Sequence, residues 1–426
     1  MYNFIEEVVF MRESKKIEFK QDISNSFLKT VSAFSNYGGG EILFGVTDDG
    51  KEIGIENPVD ACLIIEDKIN NTISPNPEYS LDINSNNVII LKVKNGLHKP
   101  YLYKDKAYKR NDSSTIQVDS FENIRLCLLG KNLSYEDLQS ANQALEFKYL
   151  EGKLKEINKI SELNEDVLIT LGLKNNDEFN NAANILSDNS SFPGIDIIKF
   201  GSDISKIEYR KTFDNMSILE AYYKTIEVFN MYYSYESITK VERERVYKIP
   251  LAAFREALAN AIIHREWDIN SSTNVAMYDD KISIVSPGGL PDGIDEYSYL
   301  NRTISNVRNK TIADIFFRLN LIEKYGTGIQ RIKMLYNSFQ VKPKFDISDN
   351  SIEVVLPVGV KYNLLTTSEK AVLDNVNKIK RSSSEIALLC GFGKNKTIDI
   401  LKKLVDNNLI LVDGNGRGRK YYRLDN

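Results

Sequence analysis

Three carboxylates near the start of the chain have the types and spacing to hold a metal ion. Glu13 and Glu18 flank a short alternating segment, and Asp48 follows the stretch led by Gly38-Gly39-Gly40. Neighbouring strands would bring the three to one edge. Their repulsion is then relieved by a divalent cation that favours oxygen ligands, Mg²⁺ or Mn²⁺. A metal so held activates water against a phosphodiester. The same residues permit a plainer arrangement, with Glu18 paired to Lys20 and Asp48 making a turn. Farther along, LAAFREALANAIIHRE (251–266) places Glu256, Asn260 and His264 at four-residue steps on one amphipathic helix. The glycines of Ser286-Pro287-Gly288-Gly289-Leu290-Pro291 and of Tyr325-Gly326-Thr327-Gly328 can bring backbone N–H groups close to a phosphate at a helix start, or simply turn the chain. No G-x-x-x-x-G-K-[ST] loop is present.

The elements that must position these groups follow from periodicity. Lys16 to Lys20 alternates and predicts a strand, and Ser24 opens a helix whose stripe is Phe27, Leu28, Val31 and Phe34. Gly38, Gly39 and Gly40 end it, Glu41–Val46 is a strand, and Asp48-Asp49-Gly50 is its turn. A helix around Val59–Ile69 and a strand at Val88–Val93 complete this part. The middle of the chain predicts helices over 138–160, 180–185, 216–233 and 312–319, and strands at 195–200, 207–210, 274–278, 281–285 and 352–356. In the tail, Thr367-Ser368-Glu369 caps a helix to about residue 378, Ser382-Ser383-Ser384-Glu385 caps a second ending near Gly391, and Lys394 starts a third running to 408. Strands at 409–412 and 420–424 flank Asp413–Arg419, and three helices with a basic hairpin make the winged helix-turn-helix layout.

Charge is distributed unevenly. The whole chain carries −4, yet residues 361–426 hold 13 Lys/Arg against 7 Asp/Glu, or +6, which leaves −10 on the remainder. A basic module on an acidic body points to a polyanionic partner. Lys394 and Lys396 would start the recognition helix, and Arg417, Arg419 and Lys420 would populate the wing. A second basic tract, HKPYLYKDKAYKR (98–110), offers Lys99, Lys104, Lys106, Lys109 and Arg110 beside Tyr101, Tyr103 and Tyr108, with Lys20 close in the strand order. Its cations can neutralise phosphate and its rings can stack on bases, or the lysines can guard an edge strand. Three scattered cysteines and two histidines argue against a zinc finger or a disulfide framework and suit a reducing cytoplasm. No eighteen-residue apolar run spans a membrane, and the opening residues do not read as a secretory signal.

E-S-x-x-x-E-F-K, S-A-F-S-N-x-x-G-G and F-G-V-x-D-x-G-K-x-I-G, over roughly residues 10–125, resemble the Schlafen/AlbA-type domain. The resemblance implies catalytic, metal-holding roles for Glu13, Glu18 and Asp48 where the family cuts RNA. E-A-L-x-N-A-I-x-H-R, P-G-G-L-P and Y-G-T-G-I, over about residues 195–335, resemble the GHKL-type ATP-binding module of bacterial helicase-related regulators. There Glu256 would orient water, Asn260 would hold Mg²⁺, and Gly288, Gly289, Gly326 and Gly328 would contact the nucleotide. The first glycine box lacks the aspartate that reads adenine in that family, with Val285-Ser286-Pro287-Gly288 in its place. Arg308-Asn309 resembles the R-N element of the same regulators, contacting phosphate or capping a helix. Residues 362–426 resemble bacterial winged-helix domains. The expected architecture is a multi-domain α+β chain: a Schlafen/AlbA-type α/β domain (1–128), a helical connector (129–194), a GHKL-like α/β sandwich (195–358) and a winged helix-turn-helix (362–426). The expected function is a DNA-binding transcriptional regulator gated by ATP, homo-oligomeric and cytoplasmic. The alternative is a metal-dependent Schlafen-like endonuclease acting on structured RNA in stress or phage defence.

Overall fold

The computed structural model describes residues 12–175, 177–239, 242–291, 294–303, 306–323, 326–359, 365–406 and 409–423; the side chains of 237–244 and of Arg417 also lie outside the description. The chain divides into two compact units, Met1–Tyr135 and Glu136–Asn426. The expected connector therefore begins in the first unit and ends in the second.

In the first unit, Ile17–Lys20 pairs in parallel with Gly40–Phe44, and Ile89–Val93 and Tyr79–Ile83 follow antiparallel in that order. A parallel pair needs a crossover, which the helix Phe27–Asn36 supplies. Phe27, Val31 and Phe34 from that helix bury with Ile42, Phe44 and Leu91 from the sheet, and the helix Pro58–Thr72 adds Ile65 and Ile69. Phe27 and Phe44 meet edge to face at 5.1 Å, a geometry the ring quadrupoles favour. The first helix stops at Tyr37, whose N–H donates to the Ala33 carbonyl, and Gly38 and Gly39 then take positive φ of 76° and 71°.

The second unit is built on a six-stranded mixed sheet. Its order is Ile207–Phe213, Ile195–Phe200, Thr273–Met277, Lys281–Pro287, Ser351–Pro357, Lys344–Ile347. Ile197, Val275, Ile284 and Val354 sit opposite one another across four strands and are all buried. The helices Ile218–Tyr233 and Leu251–Ile263 bury their apolar sides in the same core, Phe229 stacking on Phe254 at 4.3 Å. Arg265, fully buried, holds the ends of this layer together by donating to the carbonyls of Pro193, Gly194 and Ser271, with its guanidinium over the Trp267 ring.

Two local outcomes differ from expectation. Residues 138–147 are irregular, and the helix there covers only Lys148–Asn158. The hairpin Ser234–Thr239 with Glu242–Tyr247 has no counterpart in the sequence reading, because its polar, charged strands lack an apolar alternation. Glu136, the first residue of the second unit, is also fully buried. Its carboxylate accepts the N–H groups of Thr311 (2.7 Å) and Ile312 (3.1 Å), capping the helix Lys310–Arg318 from outside. Burial pushes its pKa up to about 8, against the pull of those two hydrogen bonds.

The tail folds as helix Thr367–Asp374, strand Arg381–Ser382, helix Ser383–Cys390, helix Lys394–Asp406 and strands Leu411–Asp413 and Lys420–Tyr422. The strands form one sheet with Lys420–Tyr422 in the centre. Thr366 with Glu369, and Ser382 with Glu385, form reciprocal capping boxes, and Gly391 closes the second helix at φ 66°. Val372, Ile386, Leu401 and Tyr421 share its small core.

Candidate functional site

A concavity that gathers several of the expected site residues lies in the second unit. Glu256 and Asn260 from the helix Leu251–Ile263, Tyr299, Arg302, Lys310, Asp314, Glu323 and the Gly326-Thr327-Gly328 segment all line it. Its floor is set by close packing. A Cβ built on Gly328 would stand 2.5 Å from both Asn260 Nδ2 and Glu256 Oε1. Only glycine lets the helix Gly328–Leu335 begin against those two side chains. Its first N–H groups have no intrahelical acceptor, which makes this start an anion-favouring wall.

Glu256 is 7% exposed. Burial raises its pKa, while Arg331, 3.7 Å away, pulls it down. His264 ends the Glu256 helix. Burial first, and the Arg308 guanidinium second, push its imidazole down to about 4. Its Nδ1 is buried and makes no hydrogen bond among the described residues. A base whose folded pKa is depressed binds its proton in the unfolded chain first, so the unfolding free energy must fall as pH drops from 6.5 towards 4. Urea titrations followed by the fluorescence of Trp267, the chain's single tryptophan, are expected to show a shallower pH slope over that window for His264→Gln than for the parent. Equal slopes would remove His264 from this account.

Arg308-Asn309 proves to be structural. Asn309 Nδ2 donates to the carbonyls of Ile263 (2.9 Å) and Arg265 (2.8 Å), and Arg308 donates to the carbonyls of His264 and Gly289. The pair caps the C-terminal end of the Glu256 helix. Gly326 and Gly328 line the cleft as expected, but Gly288 and Gly289 do not. A Cβ on Gly288 would meet Glu266, and one on Gly289 would meet the Asp349 backbone. They serve packing, because their strand end is pinned by the Gly288 N–H donating to Asn350. Ser286 is buried and donates to the Ala261 carbonyl. Asp292 lies outside the described residues.

The acids of the first unit take the plainer of the two arrangements open to them, not the metal-holding one. Glu18 is buried and ion-paired with Lys20 (2.5 Å) and Arg110, whose side chain is itself 4% exposed. Glu13 accepts the Phe19 N–H at 2.9 Å, and Asp48 sits exposed in its turn. They do not gather, and among the described residues no group of three or more His, Cys, Asp or Glu could hold a metal. Two cations stand beside Glu18, the Lys20 ammonium and the Arg110 guanidinium, the latter supported by the carbonyls of Ser14 and Ile17.

The basic tract is corrected in the same way. Tyr101, Tyr103 and Tyr108 belong to the core and cannot stack on bases. The alternation that suggested an interleaved surface instead sends the rings inward and the lysines out. Lys109 pairs with Glu122 at 2.6 Å, Arg110 is committed to Glu18, and Lys99 is only partly exposed. Lys104 and Lys106 stay exposed, and Lys29, which the sequence reading passed over, joins them over the Tyr108 ring. In the tail, Lys394, Lys396, Arg419 and Lys420 are all exposed. None has a carboxylate within ion-pair distance among the described residues. Arg417 falls outside the described side chains.

Comparison with known proteins fits these divisions. Residues 13–119 match the family described as "Schlafen, AlbA_2". Residues 270–356 match the one described as "Putative ATP-dependent DNA helicase recG C-terminal"; this stretch contains Gly326 and Gly328 and begins after Glu256 and Asn260. A curated relative, the "Uncharacterized ATP-binding protein UU034" of Ureaplasma parvum serovar 3, is 35% identical over 96 residues, covering 19% of this chain and 27% of that protein. The match thus spans about a quarter of the relative's length. Among solved structures, the DIP2311 protein from Corynebacterium diphtheriae is 17% identical, with 96% of this chain and 92% of that chain covered at a TM-score of 0.49. The N-terminal domain of a "Putative ATP-dependent DNA Helicase RecG-related Protein" from Nitrosomonas europaea is 22% identical over 26% of this chain and 84% of that one, at a TM-score of 0.20. No described helix is long and apolar enough to cross a membrane. The chain carries a Schlafen/AlbA_2 domain at residues 13–119 and a RecG-C-terminal-type ATPase-like domain at residues 270–356.

Proposed function

We propose that this protein is a DNA-binding regulator whose tail is a winged helix and whose cleft binds ATP. The observation that carries the DNA reading is the exposed cation set Lys394, Lys396, Arg419 and Lys420 on a helix start and a hairpin strand, of which Lys420 alone feels nearby acids, Asp413 across the hairpin and Glu385. A helix entered by lysines and a hairpin edged by Arg and Lys can meet phosphates on both sides of a groove. The Schlafen/AlbA_2 match and the exposed Lys29, Lys104 and Lys106 supply a second polyanion surface on the first unit. In the cleft, Asn260 would hold Mg²⁺, Glu256 would orient water, and the start of the helix Gly328–Leu335 would receive phosphate. The magnesium would neutralise phosphate charge beside the buried Glu256 and the half-buried Asn260. The relative's printed description as ATP-binding supports the same assignment. The RNA-cleaving alternative requires Glu18 to abandon Arg110 and Lys20.

The test is a salt titration of binding to duplex DNA. With all four tail cations changed to alanine, the log–log salt slope is expected to fall by about 3 to 4, as counterion release of roughly 0.9 per phosphate contact demands. An unchanged affinity and slope would show that the tail does not meet DNA.

A further inference from the structure

Arg331 stands one turn inside the helix Gly328–Leu335, with its backbone N–H donating to the Thr327 carbonyl at 2.8 Å. Side chains on a helix lean towards its N-terminus, and this one reaches back to two acids of the cleft wall without itself lining the cavity. Nη1 lies 3.7 Å from Glu256 Oε2 and Nη2 lies 3.4 Å from Glu323 Oε1. Both carboxylates line the cleft. These separations are longer than the roughly 2.7–2.9 Å of a made charge-assisted hydrogen bond. The guanidinium is therefore held by charge between two acids, and neither grips its fork. Its side chain is 36% exposed, so turning it requires little repacking.

Charge balance gives this placement a purpose. Glu256, Asp314 and Glu323 put three carboxylates around the cavity against two cations, Arg302 and Lys310. A phosphate chain directed at the helix start meets Glu256 closely, because Gly328 is packed directly on that side chain. The last phosphate then needs a cation that can follow it, and a planar two-pronged donor suits it better than a point charge.

Resting on the nucleotide reading of the cleft, we propose that Arg331 is the residue that distinguishes a nucleoside triphosphate from a diphosphate, leaving Glu256 and Glu323 to engage the terminal phosphate when one is present. The diphosphate leaves Arg331 where it is, between the acids. The residue is a specificity determinant and takes no part in bond breaking.

Calorimetry of the full chain with Mg²⁺ and either ADP or the β,γ-imido analogue of ATP tests this. The parent is expected to bind the triphosphate analogue about ten-fold tighter than ADP or better, as expected for a new charge-assisted pair. Arg331→Ala should bring the two ligands within about two-fold by weakening the triphosphate alone, and Arg331→Lys, which keeps charge and loses the fork, should fall between. Thermal unfolding followed by Trp267 fluorescence checks that both variants fold. If Arg331→Ala keeps the parent's preference, or weakens both ligands equally while folded, the inference is wrong and the cleft assignment stands. If the parent binds both ligands equally, the inference fails alone. If the parent binds neither, the nucleotide reading and this inference fail together.

Discussion

Glu18→Ala is expected to destabilise the first unit by about 3–5 kcal/mol, the cost of leaving a buried charge without its partner. Arg110 would be that charge. Its side chain is 4% exposed, it donates to Glu18 and to the carbonyls of Ser14 and Ile17, and it has nowhere in water to go. Arg110→Ala should cost a similar amount, because Glu18 then faces only Lys20. Replacing the two together with Met and Leu should recover most of the loss, since the deeply buried guanidinium is gone and only the more exposed Lys20 loses its partner. Urea unfolding followed by circular dichroism distinguishes these cases. A Glu18→Ala variant that unfolds at the parent's midpoint would mean that the pair is not a structural element. The same experiment bears on chemistry: if Glu18 were principally a metal ligand, adding Mn²⁺ should stabilise the parent and not the variant.

Gly328→Ala is expected to weaken nucleotide binding by about 30-fold or more, since displacing packed groups costs on the order of 2 kcal/mol. The added Cβ would sit 2.5 Å from Asn260 Nδ2 and 2.5 Å from Glu256 Oε1. The two atoms are side-chain ends, so the clash is relieved only by turning Glu256 and Asn260 away from the places they hold in the cleft. Gly152→Ala supplies the contrast. A Cβ there meets nothing within 4 Å. It lies inside the helix Lys148–Asn158, so alanine should stabilise the protein by roughly 0.5–1 kcal/mol with nucleotide affinity unchanged. Calorimetry on the two variants separates a local clash from a general effect of glycine replacement. Parent-like affinity in Gly328→Ala would place the ligand elsewhere.

Much of the architecture was legible in the chain because periodic apolar patterns determine which side of an element is buried. The first helix, its glycine stop, the strands at 195–200 and 273–277, the Glu256 helix and the order of the tail elements all follow from such patterns. Some helix ends did not, since caps can come from distant residues. Ile263 ends its helix where Asn309 and Arg308 reach in from another part of the chain, and Thr366, not Thr367, caps the first tail helix. The cleft residues Glu256, Asn260, Gly326 and Gly328 were readable as motifs. Arg331 was not, because its significance depends on two acids, one 75 and one 8 residues away in the chain, meeting at the same place. The acids of the first unit illustrate the opposite limit. Spacing put Glu13, Glu18 and Asp48 near one edge, but not which neighbour would neutralise them. For Glu18 the spacing offered Lys20 but not Arg110, which comes from 92 residues away. The tyrosines of 98–110 misled for a related reason: a strand alternates its faces, and charge on one face says nothing about whether the other is wet.

Glu136 sets a practical limit on cutting this protein into parts. The boundary between the two units falls immediately before it, yet its carboxylate is what terminates the helix carrying Lys310, Ala313 and Asp314 into the cleft. A second unit excised a few residues later, at the start of the regular helix Lys148–Asn158, would look complete by secondary structure and still lack an essential plug. Two backbone donors would lose their acceptor, and the wall of the cavity would loosen from behind. Any separated ATPase-like fragment should therefore keep the short segment that leads into it, Tyr135–Asp137 included.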